Sequence, residues 1–292
     1  MPGINEIKIS KLTFFILLIT ITVSCQKNES TNFIKIHALP NAVHEISGIA
    51  KLPNNGTLYA INDSGNDNTL FAINEEGKIA SKIKIKGAKN TDWEDLAYDQ
   101  ENNIYIGDFG NNHNQRKDLR VFKVSGILSN DISVSTIKFT FEDQKKFPPK
   151  KKNLNFDVEA FIYLNGSLYL FTKNRSSKFT GTTKLYKLPA VSGEHVAQLI
   201  GSYDTCDDPN DCFITGATIN RSRNKIVLLT YNKLFVLSDF TPNNLFDGTI
   251  KKIKLNHYSQ KEGICFKNDS ILYITDEKMK HKKAGLYEYR FD

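Results

Sequence analysis

Acidic and hydroxyl side chains recur at the equivalent position of five similar stretches of the sequence. The five positions are Ser47, Glu94, Glu159, Thr215 and Glu262. Two positions earlier, and so on the same side of a strand, stand Glu45, Asp92 and Asp157. Like charges so close raise one another's pKa unless a cation neutralises them, and hard cations prefer oxygen ligands. We therefore predict a Ca²⁺ site, with Mg²⁺ less favoured, in which the three Glu residues are ligands and the two hydroxyls assist.

A second polar set ends the strand that follows each of these positions. Its members are Asp63, Asp108, Lys173, Tyr231 and Asp276. In an antiparallel pair the end of the second strand lies beside the start of the first, so both sets are expected to open on one face. The three Asp residues are candidate general bases. The candidate ligands for an anion above the cation are Arg116, Lys173, Arg175 and Lys178.

The elements that would position these residues are short β-strands. Runs of Ile, Val, Leu, Tyr and Phe are broken by Asn, Gly, Asp and Ser, and helical periodicity is nearly absent, which is typical of an all-β chain. Each of the first four repeats has four predicted strands. The fifth repeat has three, and one unassigned strand is predicted at 33–40, before the first repeat.

A circular arrangement accounts for the missing strand and the extra one. The sequence predicts a β-propeller of five four-stranded blades, in which the N-terminal strand completes the last blade. An open β-sandwich is the alternative, but it explains neither the fivefold repetition nor the missing strand. In a propeller the first strand of each blade lines a central channel. The polar residues there could hold a metal or could instead form hydrogen bonds between blades, and the loop residues are also ordinary turn formers.

The N-terminus has the pattern of a lipoprotein signal peptide. Lys8 and Lys11 precede an apolar run at 12–23, which is short for a transmembrane helix but suits a signal peptide. The run ends at Cys25, in a context similar to a lipobox. We expect a signal peptide at 1–24, a lipidated Cys25 with a tether at 25–32, and a propeller domain at 33–292. This places the protein in the bacterial cell envelope, outside the cytoplasm and anchored to a membrane through lipid.

The other cysteines and the charge balance bear on the redox compartment of the protein and on its class of partner. Cys206 and Cys212 flank an acidic loop and are expected to form a disulfide in an oxidising compartment. The formal net charge is +7, but the positive residues are scattered and no nucleic-acid motif is present. We therefore expect no nucleic-acid partner. Signatures of serine hydrolases, zinc proteases and P-loop proteins are also absent from the sequence.

The order of hydroxyl, Glu, Glu, hydroxyl and Glu in the first polar set resembles the calcium-activated nucleotidases, or apyrases. Further segments similar in kind are 45-EISGI-49, 59-YAINDSG-65, 105-YIGDFGNN-112 and 171-FTKNRSSK-178. The resemblance implies a five-bladed propeller with a central calcium held by inner-strand residues. Thr215 replaces a Ser of that pattern. The chain also resembles bacterial lipoprotein propellers grouped with phytase-like or esterase-like domains.

Two functional hypotheses follow. The first is a lipid-anchored propeller that binds a divalent cation and an anionic ligand, and that could hydrolyse a phosphate ester. The second is a non-enzymatic propeller that contacts an envelope protein or a glycan and whose metal, or hydrogen-bonded channel, is structural.

Overall fold

Twenty β-strands and two short 3₁₀ turns make up the secondary structure of the computed structural model. The structure describes Gly3 and residues 32–53, 55–129, 131–208 and 210–291. This part of the chain contains no α-helix. It also contains no helix with the length and apolarity needed to cross a membrane.

The strands form four groups of four consecutive strands, and the last three strands form a further group with the N-terminal strand. Blade 1 contains β2 (Ile46–Lys51), β3 (Leu58–Asn62), β4 (Thr69–Ile73) and β5 (Ile79–Lys84). Blade 2 contains β6 (Trp93–Tyr98), β7 (Ile104–Asp108), β8 (Arg120–Ser125) and β9 (Ser133–Phe141). Blade 3 contains β10 (Asp157–Leu164), β11 (Ser167–Lys173), β12 (Thr182–Pro189) and β13 (Gly193–Asp204). Blade 4 contains β14 (Gly216–Ile219), β15 (Lys225–Leu229), β16 (Lys233–Ser238) and β17 (Thr249–Lys254). Blade 5 contains β18 (Lys261–Asn268), β19 (Ile271–Asp276), β20 (Gly285–Arg290) and the N-terminal strand β1 (Phe33–Ala38).

The N-terminal strand closes the last blade, which confirms the predicted circular arrangement. Strand β1 pairs antiparallel with β20, so that Phe33 lies opposite Tyr289 and Ala38 lies opposite Gly285. The first strands of the blades contact one another around a ring in the order β2, β6, β10, β14 and β18, and β18 returns to β2. The all-β propeller fold is therefore as the repeats predict.

Blades 2 and 3 are joined into one eight-stranded sheet, which the sequence did not predict. The first residues of β13, Gly193–Ala197, pair in parallel with Ile137–Phe141 of β9. The sequence pattern predicted this strand only at 196–202. In the structure it begins at Gly193, and its first residues lie against the outermost strand of blade 2.

Hydrophobic side chains fill the spaces between neighbouring blades. Five buried clusters each combine residues from two adjacent blades. Trp93 and Phe161 are fully buried in two of them. The backbones of the inner strands also approach closely, since a Cβ on Gly48 would lie 2.7 Å from the Cα of Asp95. This packing holds the start of each inner strand in a fixed position at one end of the channel.

Candidate functional site

We call the five residues of the first polar set the ring residues. Most of them lie where the pairing of the inner strands is irregular. The register of pairing shifts at Ser47, Glu94, Glu159 and Glu262 in blades 1, 2, 3 and 5. A β-bulge leaves its extra residue outside the ladder and re-aims its side chain, and bulges are over-represented next to active sites. In blade 4, Thr215 precedes β14, and its amide donates a hydrogen bond of 3.0 Å to the carbonyl of Leu229.

Pairing within the blades places the second polar set at the same end as the first. Lys173 lies opposite Asp157, Asp108 lies opposite Trp93, and Asp276 lies opposite Lys261. The ends of the second strands thus lie beside the starts of the inner strands, as expected for antiparallel pairs. We call this end of the channel the mouth.

Three carboxylates from blades 1 and 2 meet at the mouth. Oxygen atoms of Asp63, Asp92 and Glu94 all lie within 4.8 Å of one another, an arrangement that could hold a metal ion. Asp92 directly precedes β6, the inner strand of blade 2, Glu94 is its second residue, and Asp63 follows β3 of blade 1. The side-chain amide of Asn90 donates to the carbonyls of Asn62, at 3.1 Å, and of Asp63, at 2.9 Å. These bonds fix the loops of the two blades together.

The three carboxylates lack an adequate internal counter-charge. Burial and the negative charge of Asp63 raise the pKa of Asp92 to about 7, although Arg116 acts in the opposite direction. Burial and the charges of Glu159, Asp63 and Asp92 raise the pKa of Glu94 well above its usual range. Glu94 is 6% exposed, and its carboxylate accepts no hydrogen bond from the described residues.

Gly110 lies directly against two of these carboxylates. A Cβ at this position would lie 2.1 Å from Oε1 of Glu94 and 2.4 Å from Oδ2 of Asp92. Only a residue without a side chain leaves room for both groups to turn toward Asp63. The sequence places this glycine in the loop after β7, where it looks like an ordinary turn residue.

Glu159, a predicted metal ligand, is instead neutralised by two cations. Lys173 Nζ lies 2.8 Å from its Oε2, and an Arg175 nitrogen lies 2.9 Å from its Oε1. Burial alone would raise the pKa of Glu159, but these ion pairs hold it below its usual value. Arg175 also bonds Asp157 at 2.7 Å and contacts Asn112. Burial and the charge of Glu159 still raise the pKa of Asp157 to about 7.

Glu262 forms a pair with Glu277, which sequence reasoning had not singled out. Burial, the charge of Glu262 and the hydrogen bond between the two carboxyls raise the pKa of Glu277 to about 9. Burial and the charge of Glu159 raise the pKa of Glu262 to about 7, against the attraction of Lys173. Gln260 also donates to Glu262 at 3.2 Å. Such a pair holds one proton near neutral pH and can both accept and return it.

The two hydroxyls of the ring are used between blades. Ser47 Oγ donates to the carbonyl of Trp93 at 2.9 Å, and Thr215 Oγ1 donates to the carbonyl of Lys261 at 2.6 Å. These two residues therefore fit the alternative in which polar residues of the channel form hydrogen bonds between blades instead of binding a metal. Of the five predicted metal ligands, the structure brings only Glu94 into the cluster of three carboxylates.

Two of the three predicted general bases already form ion pairs or hydrogen bonds with neighbouring residues. The buried carboxylate of Asp108 pairs with Arg116 at 3.2 Å and with Arg120 at 2.8 Å. The carboxylate of Asp276 accepts hydrogen bonds from the amide of Gly285 and from the hydroxyl of Tyr287. These contacts leave Asp63 as the only one of the three that joins the carboxylate cluster.

Of the four predicted anion ligands, three are already bonded to carboxylates. Arg116 bonds Asp108, Asp118 and the carbonyl of Gly110, so its guanidinium supports the loop after β7. Lys173 and Arg175 are bound to carboxylates at the mouth, and the Arg175 side chain is 27% exposed. Lys178 is exposed. Arg175 is therefore the cation that lies at the mouth and still reaches solvent.

Asp95 is a further buried carboxylate that the sequence analysis missed. Its oxygens accept backbone hydrogen bonds from Leu96 at 2.8 Å, Phe161 at 3.1 Å and Ala217 at 3.3 Å, which ties blades 2, 3 and 4 together. Burial raises its pKa well above the usual range. The sequence feature that could have revealed it is its place directly after the ring residue Glu94, where its side chain points to the opposite side of the same strand.

The three cysteines among the described residues form one disulfide and one free thiol. Cys206 and Cys212 are joined by a disulfide, and Cys265 is a buried free thiol. Cys25 and the proposed signal peptide lie outside the described residues.

Comparisons with known proteins support the fold. A family model described as SdiA-regulated matches residues 24–145, which is less than half of the chain. The PQQ-bound aldose sugar dehydrogenase of Streptomyces coelicolor is similar with a TM-score of 0.51 and 9% identity, over 88% of this chain and 97% of that one. A glucose dehydrogenase is similar with a TM-score of 0.50 and 8% identity, over 89% and 99% of the two chains. No curated protein matches the sequence significantly. At these identities the likeness is one of propeller fold.

Proposed function

We propose that the protein binds a divalent cation, Ca²⁺ in the first instance, through Asp63, Asp92 and Glu94. The observation that carries this proposal is the meeting of three carboxylates around Gly110, none of which forms an ion pair with the described residues. Ca²⁺ accepts six to eight oxygen ligands in a flexible geometry, whereas Mg²⁺ demands a near-ideal octahedron. Three carboxylates would leave coordination positions for water or for a ligand.

The ligand that we propose above the cation is a phosphate ester, which the protein would hydrolyse. A metal ion can orient a phosphate and polarise an attacking water. Arg175 lies at the same mouth, and a guanidinium suits phosphate oxygens. In this reaction water attacks phosphorus, the bond between phosphorus and the ester oxygen breaks, and a carboxylate that accepts a proton from the water returns it to the departing oxygen. The pair of Glu262 and Glu277 is suited to that transfer, because the pKa of Glu262 is about 7.

A non-enzymatic propeller remains the second candidate. It is favoured by the inter-blade hydrogen bonds of Ser47 and Thr215 and by the ion pairs that occupy Glu159. In this case the cation would only brace blades 1 and 2, and a glycan or envelope protein would be the partner. In both cases we propose that a lipid on Cys25 anchors the domain in the bacterial envelope.

Thermal melting in the presence and absence of Ca²⁺ tests the cation site. Metal-free protein should gain about 2.7 kcal/mol in unfolding free energy when free Ca²⁺ is about 100 times its Kd. Glu94→Gln should abolish the gain, whereas the matched change of an exposed residue, Glu76→Gln, should keep it. An unchanged melt in Ca²⁺, with no metal retained by the untreated protein, would contradict the proposal.

Turnover of phosphate esters separates the two candidates. A hydrolase should release phosphate from a simple ester in Ca²⁺, and should lose this activity in Arg175→Gln and Glu262→Gln variants that still show a Ca²⁺-dependent melt. A Ca²⁺-dependent melt without turnover on any phosphate ester would favour the non-enzymatic propeller.

A further inference from the structure

A second charged feature lies between blades 2 and 3, away from the three carboxylates. The connection from β9 to β10 contains 145-KKFPPKKK-152, and together with the loop after β11 it encloses a cavity of about 710 Å³. We call this cavity the lysine pocket. Its basic lining residues are Lys145, Lys146, Lys150, Lys152 and Lys184.

The lysine pocket has a large excess of positive charge. Asp143 is the only acidic residue on its described lining, and it is already bonded to Lys184 at 2.6 Å and to the hydroxyl of Tyr186 at 2.8 Å. Lys146, Lys150 and Lys152 are exposed and form no ion pair with the described residues. The described lining therefore carries five lysines and a single aspartate, and that aspartate is already paired with Lys184.

Backbone hydrogen bonds fix the wall of the lysine pocket. The amide of Ser177 donates to the carbonyl of Lys151 at 3.0 Å, and the amide of Arg175 donates to the carbonyl of Leu154 at 2.7 Å. A 3₁₀ turn at Lys151–Asn153 adds a bond from Asn153 to Lys150. Lysines on a wall held in this way are better placed for a common ligand than lysines on a free loop, because less conformational entropy is lost on binding.

We propose that the lysine pocket binds a small soluble molecule that carries at least two phosphate groups. Lysine acts as a compact point charge for phosphate oxygens, and each phosphate brings more negative charge than a carboxylate. The volume lies in the range of small-molecule pockets, and its concave shape suits a compact ligand. Side-chain amides and hydroxyls on the wall, among them Asn153, Asn174 and Ser176, offer additional donors. The lining residues of this pocket do not include Asp63, Asp92 or Glu94 of the proposed cation site.

Calorimetric titration with tripolyphosphate tests the lysine pocket. The probe is added to protein freed of metal on a chelating resin, so that neither Ca²⁺ nor a soluble chelator competes. We expect saturable binding that weakens at least tenfold in the double variant Lys150→Gln/Lys152→Gln. The matched control Lys78→Gln/Lys251→Gln removes the same charge from exposed residues outside the pocket, and should stay within twofold of the unaltered protein.

Three outcomes would overturn the assignment. They are no binding at millimolar tripolyphosphate, equal weakening in the two double variants, and binding of citrate as tight as that of tripolyphosphate. Equal weakening would mean attraction by net charge only, and equal binding of citrate would mean that the pocket does not select phosphate. The Ca²⁺-dependent melt of the pocket variant, measured alongside, should be unchanged, which shows that the protein is folded.

Discussion

Lys173 donates a hydrogen bond of 2.8 Å to Glu159 across the first two strands of blade 3, and both side chains are almost fully buried. This contact removes Glu159 from the set of carboxylates that need a metal. The site that we propose is therefore off the channel axis, between blades 1 and 2. In blade 3, the residue that ends the second strand thus neutralises the carboxylate of the first strand.

Removal of Lys173 should be costly. Lys173→Met leaves Glu159 with Arg175 alone, and loss of one partner of a buried ion pair destabilises a protein by about 3–5 kcal/mol. We expect denaturant unfolding to show a loss near the lower end of that range, because Arg175 remains. The double variant Lys173→Met/Glu159→Gln should recover much of the loss. A double variant less stable than Lys173→Met would show that the pair is not coupled in this way.

Gly110→Ala should weaken the cation site more than it weakens the fold. The added methyl group would collide with Glu94 and Asp92, and both must turn away from Asp63 to relieve the contact. We expect at least a tenfold loss of Ca²⁺ affinity by calorimetry. Gly56→Ala is the matched control, because its Cβ would lie 3.7 Å from the nearest group, in ordinary contact. Unchanged affinity in Gly110→Ala would count against the proposed ligands.

Metal-free protein should lose stability as the pH rises. The pKa values of Asp92 and Glu262 are about 7 and that of Glu277 is about 9, all above the value of about 4 expected in the unfolded chain. The folded state therefore binds more protons than the unfolded state between these limits, and the stability that these groups contribute below pH 4 is lost as the pH passes through 7 to 9.

Ca²⁺ should offset the part of this loss that comes from Asp92, because it binds the deprotonated carboxylates of the site and releases their protons. The gain in melting temperature on adding Ca²⁺ should therefore grow from pH 5 to pH 8. Calorimetry in two buffers of different ionisation enthalpy counts the protons released. A gain that is independent of pH, with no proton release, would contradict the assignment of Asp92 and Glu94 to the site.

The disulfide should stabilise the loop before blade 4. Cys206 and Cys212 are separated by six positions, and closure of so small a loop is worth about 2 kcal/mol in the chain-entropy model. The double variant Cys206→Ser/Cys212→Ser should lower the unfolding free energy by that amount. Reduction of the unaltered protein should have the same effect on its melt, and reduction of the double variant should have none.

The fold was largely predictable, because the chain repeats its strand pattern five times. The positions of the inner strands and the pairing of β1 with β20 follow from that repetition and from the missing fourth strand. The parallel pairing of β13 with β9 did not follow, because Gly193 and its neighbours look like a turn when the partner strand is not known.

The candidate site was less predictable than the fold. The pattern placed Glu94, Glu159 and Glu262 at one end of the channel, but not their partners, since a one-residue bulge re-aims a side chain without leaving a periodic signal. The partners also come from different blades: Asp63 approaches Asp92 from blade 1. Glu277 lies in a loop whose composition is that of an ordinary turn, so nothing in the sequence distinguishes it.

The junction of blades 2 and 3 has a consequence for self-association. Outermost strands of blades present unpaired backbone groups, to which a strand of another molecule can add. Because β9 is covered by β13, this edge is protected by the chain itself. Among the described residues, the outermost strands of blades 1, 4 and 5 have no such cover, and those of blades 1 and 4 carry lysines: Lys82 and Lys84 in β5, and Lys251, Lys252 and Lys254 in β17. Pairing thus covers the outermost strands of blades 2 and 3, and the lysines of β5 and β17 disfavour the addition of a foreign strand to blades 1 and 4.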